Sequence, residues 1–273
     1  MRDPMPVRKP KASATPWPAA SGCRPTLQHM AWTGLIVLVG SVLQGAVGFG
    51  FSLFAVPALV WSGRRLSDAV AIASISIFIH VLLGTWQLRA HVPWRAVVTA
   101  SFFRYLTIPL GVALLVSIDA LAKVQIKQVL GGILIAVLLV EALWKSESRE
   151  PLHPAWHAAA FTTSGFLQGF VAMGGPPAVL WAMAQSWDSR RTRAFLLALF
   201  MLTAPLQIPL MYFLSQHDLT GAFLTGLAFA PVVAAGSIGG VRIGNLVGKS
   251  RLRQAAVAIL FVTGIVSILA PAF

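Results

Sequence analysis

Eight residues of this chain have types and spacings suited to holding a small anion. They are Gln44, Gly48, Gly50 and Ser52 in one stretch, Gln168, Gly174 and Gly175 in another, and Arg104 between them. Glycine lets a ligand approach the backbone closely, and N–H groups at a helix start carry the positive end of the helix dipole. Ser52 adds a hydroxyl donor, and the two glutamines can either donate amide hydrogens to a ligand or bridge neighbouring helices. Arg104 is set well inside an apolar run, where a planar guanidinium can hold a sulfonate or carboxylate bidentately. It also follows Arg95 by only nine residues, so snorkelling to an interface is the alternative. His80, in the second apolar run, is a candidate to carry a coupling proton, although packing is the more common role of such a histidine.

Other chemistries lack their residues. The chain has 8 Asp and Glu, none at the middle of an apolar run, which leaves no candidate for a carboxylate proton relay or sodium site. Cys23 is the single cysteine, so neither an intramolecular disulfide nor a cysteine metal cluster is available. Nothing resembles a Walker A loop. No metal and no cofactor are expected.

The elements that must position these residues come in two copies. GSVLQGAVGFGFSLFAVP from Gly40 to Pro57 returns, altered, as SGFLQGFVAMGGPPAVLW from Ser164 to Trp181. A shift of 124 residues lays Leu43, Gln44 and Gly45 on Leu167, Gln168 and Gly169, and Gly50 on Gly174. Each copy sits in an apolar run too long for one simple span: Ala31 to Trp61 as helix would measure roughly 45 Å against a hydrocarbon core of about 30 Å. Gly45 to Gly50 with Pro57, and Gly174 to Pro177, are where such a run can break. Broken helix at membrane depth is tolerated where it is buried in protein or lines a wet cavity, so paired breaks point to a site near the midplane. Close helix packing through small residues is the competing explanation.

Composition sets the solvent. With 57% hydrophobic residues, 11% charged residues and a mean hydropathy of +0.77, the chain reads as an all-α integral membrane protein, a polytopic bundle of about eight long apolar segments. The net charge of +13 falls in a tail and in short loops, the pattern of membrane topology rather than of nucleic-acid binding. Residues 1–30, rich in proline and basic residues, read as a disordered tail. Residues 31–148 and 149–273 read as two membrane repeats, each opening with the broken or re-entrant segment. Arg89, Arg95, Lys145, Arg149, Arg190, Arg191, Arg193, Arg242, Lys249, Arg251 and Arg253 oppose Arg64, Arg65, Lys123 and Lys127, a ratio of eleven to four across alternate loops. Single crossings by both broken runs would make the halves parallel, and fold-back hairpins would make them inverted; both alternatives stand.

These residues resemble the sulfite exporter TauE/SafE permeases. The resemblance rests on GAVGFGFSLFAVP, on its counterpart GFLQGFVAMGGPP, and on Pro-to-Gly segments later in each half: Pro109 with Gly111, and Pro231 with Gly236, Gly239 and Gly240. It covers residues 31–273, with Phe49 and Phe51 around Gly50 departing from the commoner GxGGG-like first motif. It implies a secondary transporter that moves sulfite, sulfonates or carboxylates across a bacterial inner membrane. Expected partners are then a small anionic substrate and lipid, with a homodimer open and nucleic acid excluded. A non-transporting assembly partner of another membrane enzyme is the alternative. An intramembrane enzyme is disfavoured, because His80 and Arg104 have no matched carboxylate, cysteine or HExxH-like partner.

Overall fold

A computed structural model describes residues 27–47, 50–119, 121, 123–143, 153–247 and 249–269. Residues 1–26 of the expected tail, Gly48 and the charged link at 144–152 lie outside the described residues, while 27–30 of that tail begin the first helix. All described elements are helical: α1 (Leu27–Val47), α2 (Phe51–Trp61), α3 (Leu66–Leu88), α4 (Trp94–Ile118), α5 (Lys123–Leu143), α6 (Pro154–Val171), α7 (Gly175–Met183), α8 (Ser189–Leu214), α9 (Thr220–Ala228), α10 (Ala230–Val247) and α11 (Lys249–Leu269), with one 3-10 turn at Arg89–His91. The helices are apolar on nearly every side, as a lipid-solvated bundle requires, since lipid tails cover what a soluble protein would hide. Phe102, Leu106 and Leu110 of α4 and Phe213 of α8 accordingly stand on the surface.

Four helical stretches among the described residues are long and apolar enough to cross a membrane: 28–46, 66–91, 94–118 and 189–214. The α9–α10 pair, bent by 48°, makes a fifth if it is one broken span. The sequence reading counts about eight long apolar segments, of which four or five are of crossing length among the described residues. The apolar stretches 51–61, 124–140 and 260–269 are shorter, and α2 and α7, with 11 and 9 residues, are about 16 and 14 Å long and reach only part way across.

Both short helices fold back on the helix before them. The Phe51 ring packs on Gly40, where a Cβ would sit 3.1 Å from it, and beyond the end of α2 Arg64 donates to the Thr33 hydroxyl at 3.4 Å. The start of α1 and the end of α2 therefore lie together. In the same way Trp181 of α7 stacks edge-on against Phe161 and His157 of α6, with centroids 5.0 and 4.9 Å apart. Trp187 and Phe195 complete that aromatic cluster around Trp181.

Each broken pair is clasped by a helix from the other part of the chain, α1 by α10 and α6 by α4, while α3 packs on α8 and α5 on α11. Glycine makes the clasps possible. Gly45 lies against the carbonyl of Ser237, and Gly169 against that of Ile108. Helix α4 runs unbroken through Pro109, and the nearby Gly111 lets α6 approach.

At one end of the bundle a polar knot joins α3, the end of α4 and the link between α8 and α9. Asp119 accepts from the Ser67 N–H at 3.1 Å and from its hydroxyl at 2.8 Å. His217 lies 3.0 Å from the Ser67 hydroxyl and pairs with Asp68 and Asp119 at 3.6 and 3.7 Å. Asp218 turns away to cap α9, and hydrogen bonds from Thr220 hold its carboxyl below the usual carboxylate range. Among the described residues no three His, Cys, Asp or Glu side chains are placed to hold a metal ion.

Candidate functional site between the two breaks

The two breaks meet. Gln44, Gly50 and Ser52 from the first, and Gln168 and Gly175 from the second, line one cleft of about 340 Å³ counted to its open mouth. Phe200 of α8 completes the wall. Of the expected site residues, these five converge on the cleft and Gly174 borders it in the chain; Arg104 and His80 do not line it.

The matched glutamines do matching work. Gln44 Oε1 accepts the Phe51 N–H at 3.1 Å, and Gln168 Oε1 accepts the Gly174 N–H at 3.3 Å. Each amide thus reaches back across its own break and satisfies a donor at the start of the next helix, a group with no intrahelical partner. Gln168 is held further by Gln207: its Nε2 donates to Gln207 Oε1 at 2.7 Å, and Gln207 Nε2 donates to the Gln168 carbonyl at 2.8 Å.

The breaks differ in backbone. In the first, Gly50 takes the left-handed conformation, with φ 112°. In the second that conformation falls on Ala172, with φ 57°, which closes α6 as N–H groups of Ala172 and Met173 return to the carbonyls of Gln168 and Leu167. Gly174 has an ordinary φ of −71°, and what it needs is room: a Cβ there would crowd the Ser164 carbonyl and the Gln168 side chain. The donor supply differs as well. Helix α2 offers the N–H groups of Ser52 and Leu53 at the cleft, whereas α7 begins Gly175-Pro176-Pro177 and its prolines have none.

A model of the sulfite exporter TauE/SafE family matches residues 33–267. The chain belongs to the sulfite exporter TauE/SafE family. No curated protein and no solved structure matches it significantly. Membership places it among multi-pass membrane exporters of sulfur anions, which are transporters and not enzymes.

In this TauE/SafE chain Arg104 lies one layer behind the cleft. It is fully buried, so it does not snorkel. Its Nη1 donates to the Ser164 hydroxyl at 2.9 Å, and that hydroxyl donates onward to the Gly174 carbonyl at 2.5 Å, tying the guanidinium to the second break. Its face rests on the Phe200 ring, 4.5 Å from the centroid. Among the described residues, Nε and Nη2 have no hydrogen-bond acceptor. His80 joins α3 to α10, its Nδ1 lying 2.5 Å from the Ser237 hydroxyl.

Ser164, Phe200 and Gln207 were not singled out from the sequence. Ser164 had a signal, since it precedes Gln168 by one helical turn and shares its face. Gln207 had a weaker one, as an amide between Pro205 and Pro209 in an apolar run. Phe200 had none, because a phenylalanine inside a hydrophobic helix carries no mark of what lies beyond it.

Proposed function

We propose that this protein is a secondary transporter of small sulfur-containing or organic anions, sulfite and sulfonates foremost, across a bacterial inner membrane. One observation carries the reading: two breaks matched in sequence line a single cleft. The α2 N–H groups, the Ser52 hydroxyl and the Gln44 amide supply donors for the anion's oxygens, and the buried Arg104 supplies positive potential from behind. Residues 31–148 and 149–273 act as two halves, each with its own hairpin and clasping helix. Since both broken runs fold back, three crossings separate the hairpins and the halves are inverted. The eleven-to-four loop charge then puts the links at 89–93, 144–153, 184–188 and 248 in the cytoplasm, with the start of α1 at the opposite face.

Alternating exposure follows if the hairpins and their clasping helices rock against α3 and α8. His80, bonded to Ser237 across α3 and α10, sits where a proton could bias that motion. His80→Gln is expected to flatten the pH dependence of flux, and an unchanged pH profile assigns His80 to packing.

Counterflow in proteoliposomes tests the reading, with labelled sulfite, sulfoacetate, taurine and a dicarboxylate. At least one should move, and the Gly50→Val, Gly174→Val double variant should move none. The first substitution forces a branched residue to a φ of 112°, and the second drives a side chain into Ser164 and Gln168. Folded wild-type protein that moves none of the four overturns the reading.

A further inference from the structure

We propose that the Phe200 ring is a gate between two anion positions, one in the cleft at the paired breaks and a second against the Arg104 guanidinium. The inference rests on the transporter reading and adds to it a residue, a second position and an order of events.

Four observations lead there. Phe200 forms the cleft wall on one side and covers Arg104 on the other, with Cζ 4.5 Å from the ring centroid. Arg104 is wholly buried, and among the described residues its Nε and Nη2 find no acceptor, while Nη1 alone is engaged by Ser164. A guanidinium presents its donors as a fork, and Nε with Nη2 form the edge that binds an oxyanion through two parallel bonds. Leaving that edge unmade inside a membrane protein is costly, so an oxyanion with two oxygens is the ligand whose arrival satisfies it. The ring is also mounted where it can move. Helix α8 carries Pro205 and Pro209 within three turns of Phe200, which removes the N–H groups that would bond the Met201 and Pro205 carbonyls. Tyr105, next to Arg104, fixes the Leu202 carbonyl at 2.6 Å, so α4 and the weakened part of α8 are coupled at the gate.

The order is then capture at the α2 amides, displacement of the Phe200 ring, and transfer to the guanidinium. The breaks hold a neutral donor set and Arg104 a cation, so the second position selects for charge and the first for size and hydrogen-bond acceptors. Two positions of this kind let an anion bind without being trapped, because each offers part of the full set of contacts. The corresponding place on α10 is Val233, as judged by the matched approaches of Ile108 to Gly169 and Ser237 to Gly45. The second position is therefore single.

The test uses purified full-length protein in detergent with two readouts. Phenylglyoxal modification of Arg104, mapped by peptide mass, should be at least tenfold faster in Phe200→Ala than in wild type, with exposed Arg190 as the internal reference. Binding of labelled sulfite is then measured in wild type, Phe200→Ala, Arg104→Gln and the double variant. Phe200→Ala should speed sulfite association several-fold when Arg104 is present and leave it unchanged in the Arg104→Gln background. Phe200→Leu, which keeps an apolar side chain of similar reach, serves if the alanine variant is not folded. Equal modification rates, or Phe200 effects that are the same with and without Arg104, overturn the gate. If wild-type counterflow persists in that case, the transporter reading stands without it; if wild type neither binds nor moves any anion tested, both fall together.

Discussion

Arg104→Met is expected to raise the thermal stability of the protein while lowering its affinity for anions by about a hundredfold or more. The two effects have one cause. Arg104 is fully buried, and desolvation of an ion costs several kcal/mol even after relaxation. What the protein returns is one charged hydrogen bond to Ser164 and contact with the Phe200 ring, together about 2 to 5 kcal/mol. Methionine fills similar volume with no ion to desolvate, and Ser164 keeps its own bond to Gly174, so the break survives the change. A net gain of about 1–2 kcal/mol would appear as a rise of several degrees in melting temperature. The loss of affinity follows from removing two charge-assisted bonds to the anion, each worth about 1.5–3 kcal/mol. Arg104→Lys should fall between, since it keeps the charge and loses the fork. The measurements are a melting curve in detergent and a binding isotherm for sulfite. A lower melting temperature with unchanged affinity would make Arg104 a structural residue and remove it from the transport path.

The Arg104 case also shows what a single sequence can reveal about such a site. Its position inside an apolar run was visible, and so was the chemistry of a buried guanidinium. Its neighbours were not, because Ser164 is 60 residues away and Phe200 is one aromatic among many. The breaks were legible because glycine and proline act through the local backbone. Gln44 and Gln168 were legible because repetition at a fixed offset singled them out, and both now sit at the cleft. Their partners differ from a simple ligand role: each amide oxygen is engaged across its own break, which depends on the path of the chain after the glycines and not on residue type. The left-handed residue of the second break is Ala172 and not one of its glycines, set by how α6 ends. The number of crossings was less legible. An apolar run of 30 residues reads the same whether it crosses or turns back, and the turn is fixed by contacts such as Arg64 with Thr33 that link distant positions. The bend between α9 and α10 follows Phe229 and precedes Pro231, which withdraws the N–H that Leu227 would need. That proline was noted as part of a family pattern and not as a hinge.

Gly169→Leu should prevent accumulation of folded protein, whereas Gly132→Leu should be tolerated or slightly stabilising. Both are helical glycines in an apolar setting, and intrinsic propensity favours leucine at each by up to about 1 kcal/mol. Their surroundings decide the outcome. At Gly169 a Cβ would fall on the carbonyl of Ile108 and lie 3.0 Å from the Val112 N–H, both backbone atoms of α4, which cannot turn aside as a side chain can. Accommodating four side-chain carbons there requires α4 and α6 to separate. Separation breaks the 2.9 Å bond between Arg104 and Ser164 and the 2.9 Å bond from the Thr107 hydroxyl to the Thr162 carbonyl. Overpacking of side chains costs about 1–3 kcal/mol, and here a broken buried charge contact adds about as much again. Against a total stability of about 5–15 kcal/mol, that is enough to unfold the protein or leave it unable to assemble. Gly132 is exposed on α5, with nothing within 4 Å of where its Cβ would be, so only propensity acts. Gly45→Leu, the matched position against the Ser237 carbonyl, should fail as Gly169→Leu does and also pull Ser237 from His80. Monodisperse yield on size-exclusion chromatography, followed by a melting curve, compares the three. Equal yields from Gly169→Leu and Gly132→Leu would show that α4 and α6 do not meet backbone to backbone, and the cleft that depends on that approach would have to be rebuilt.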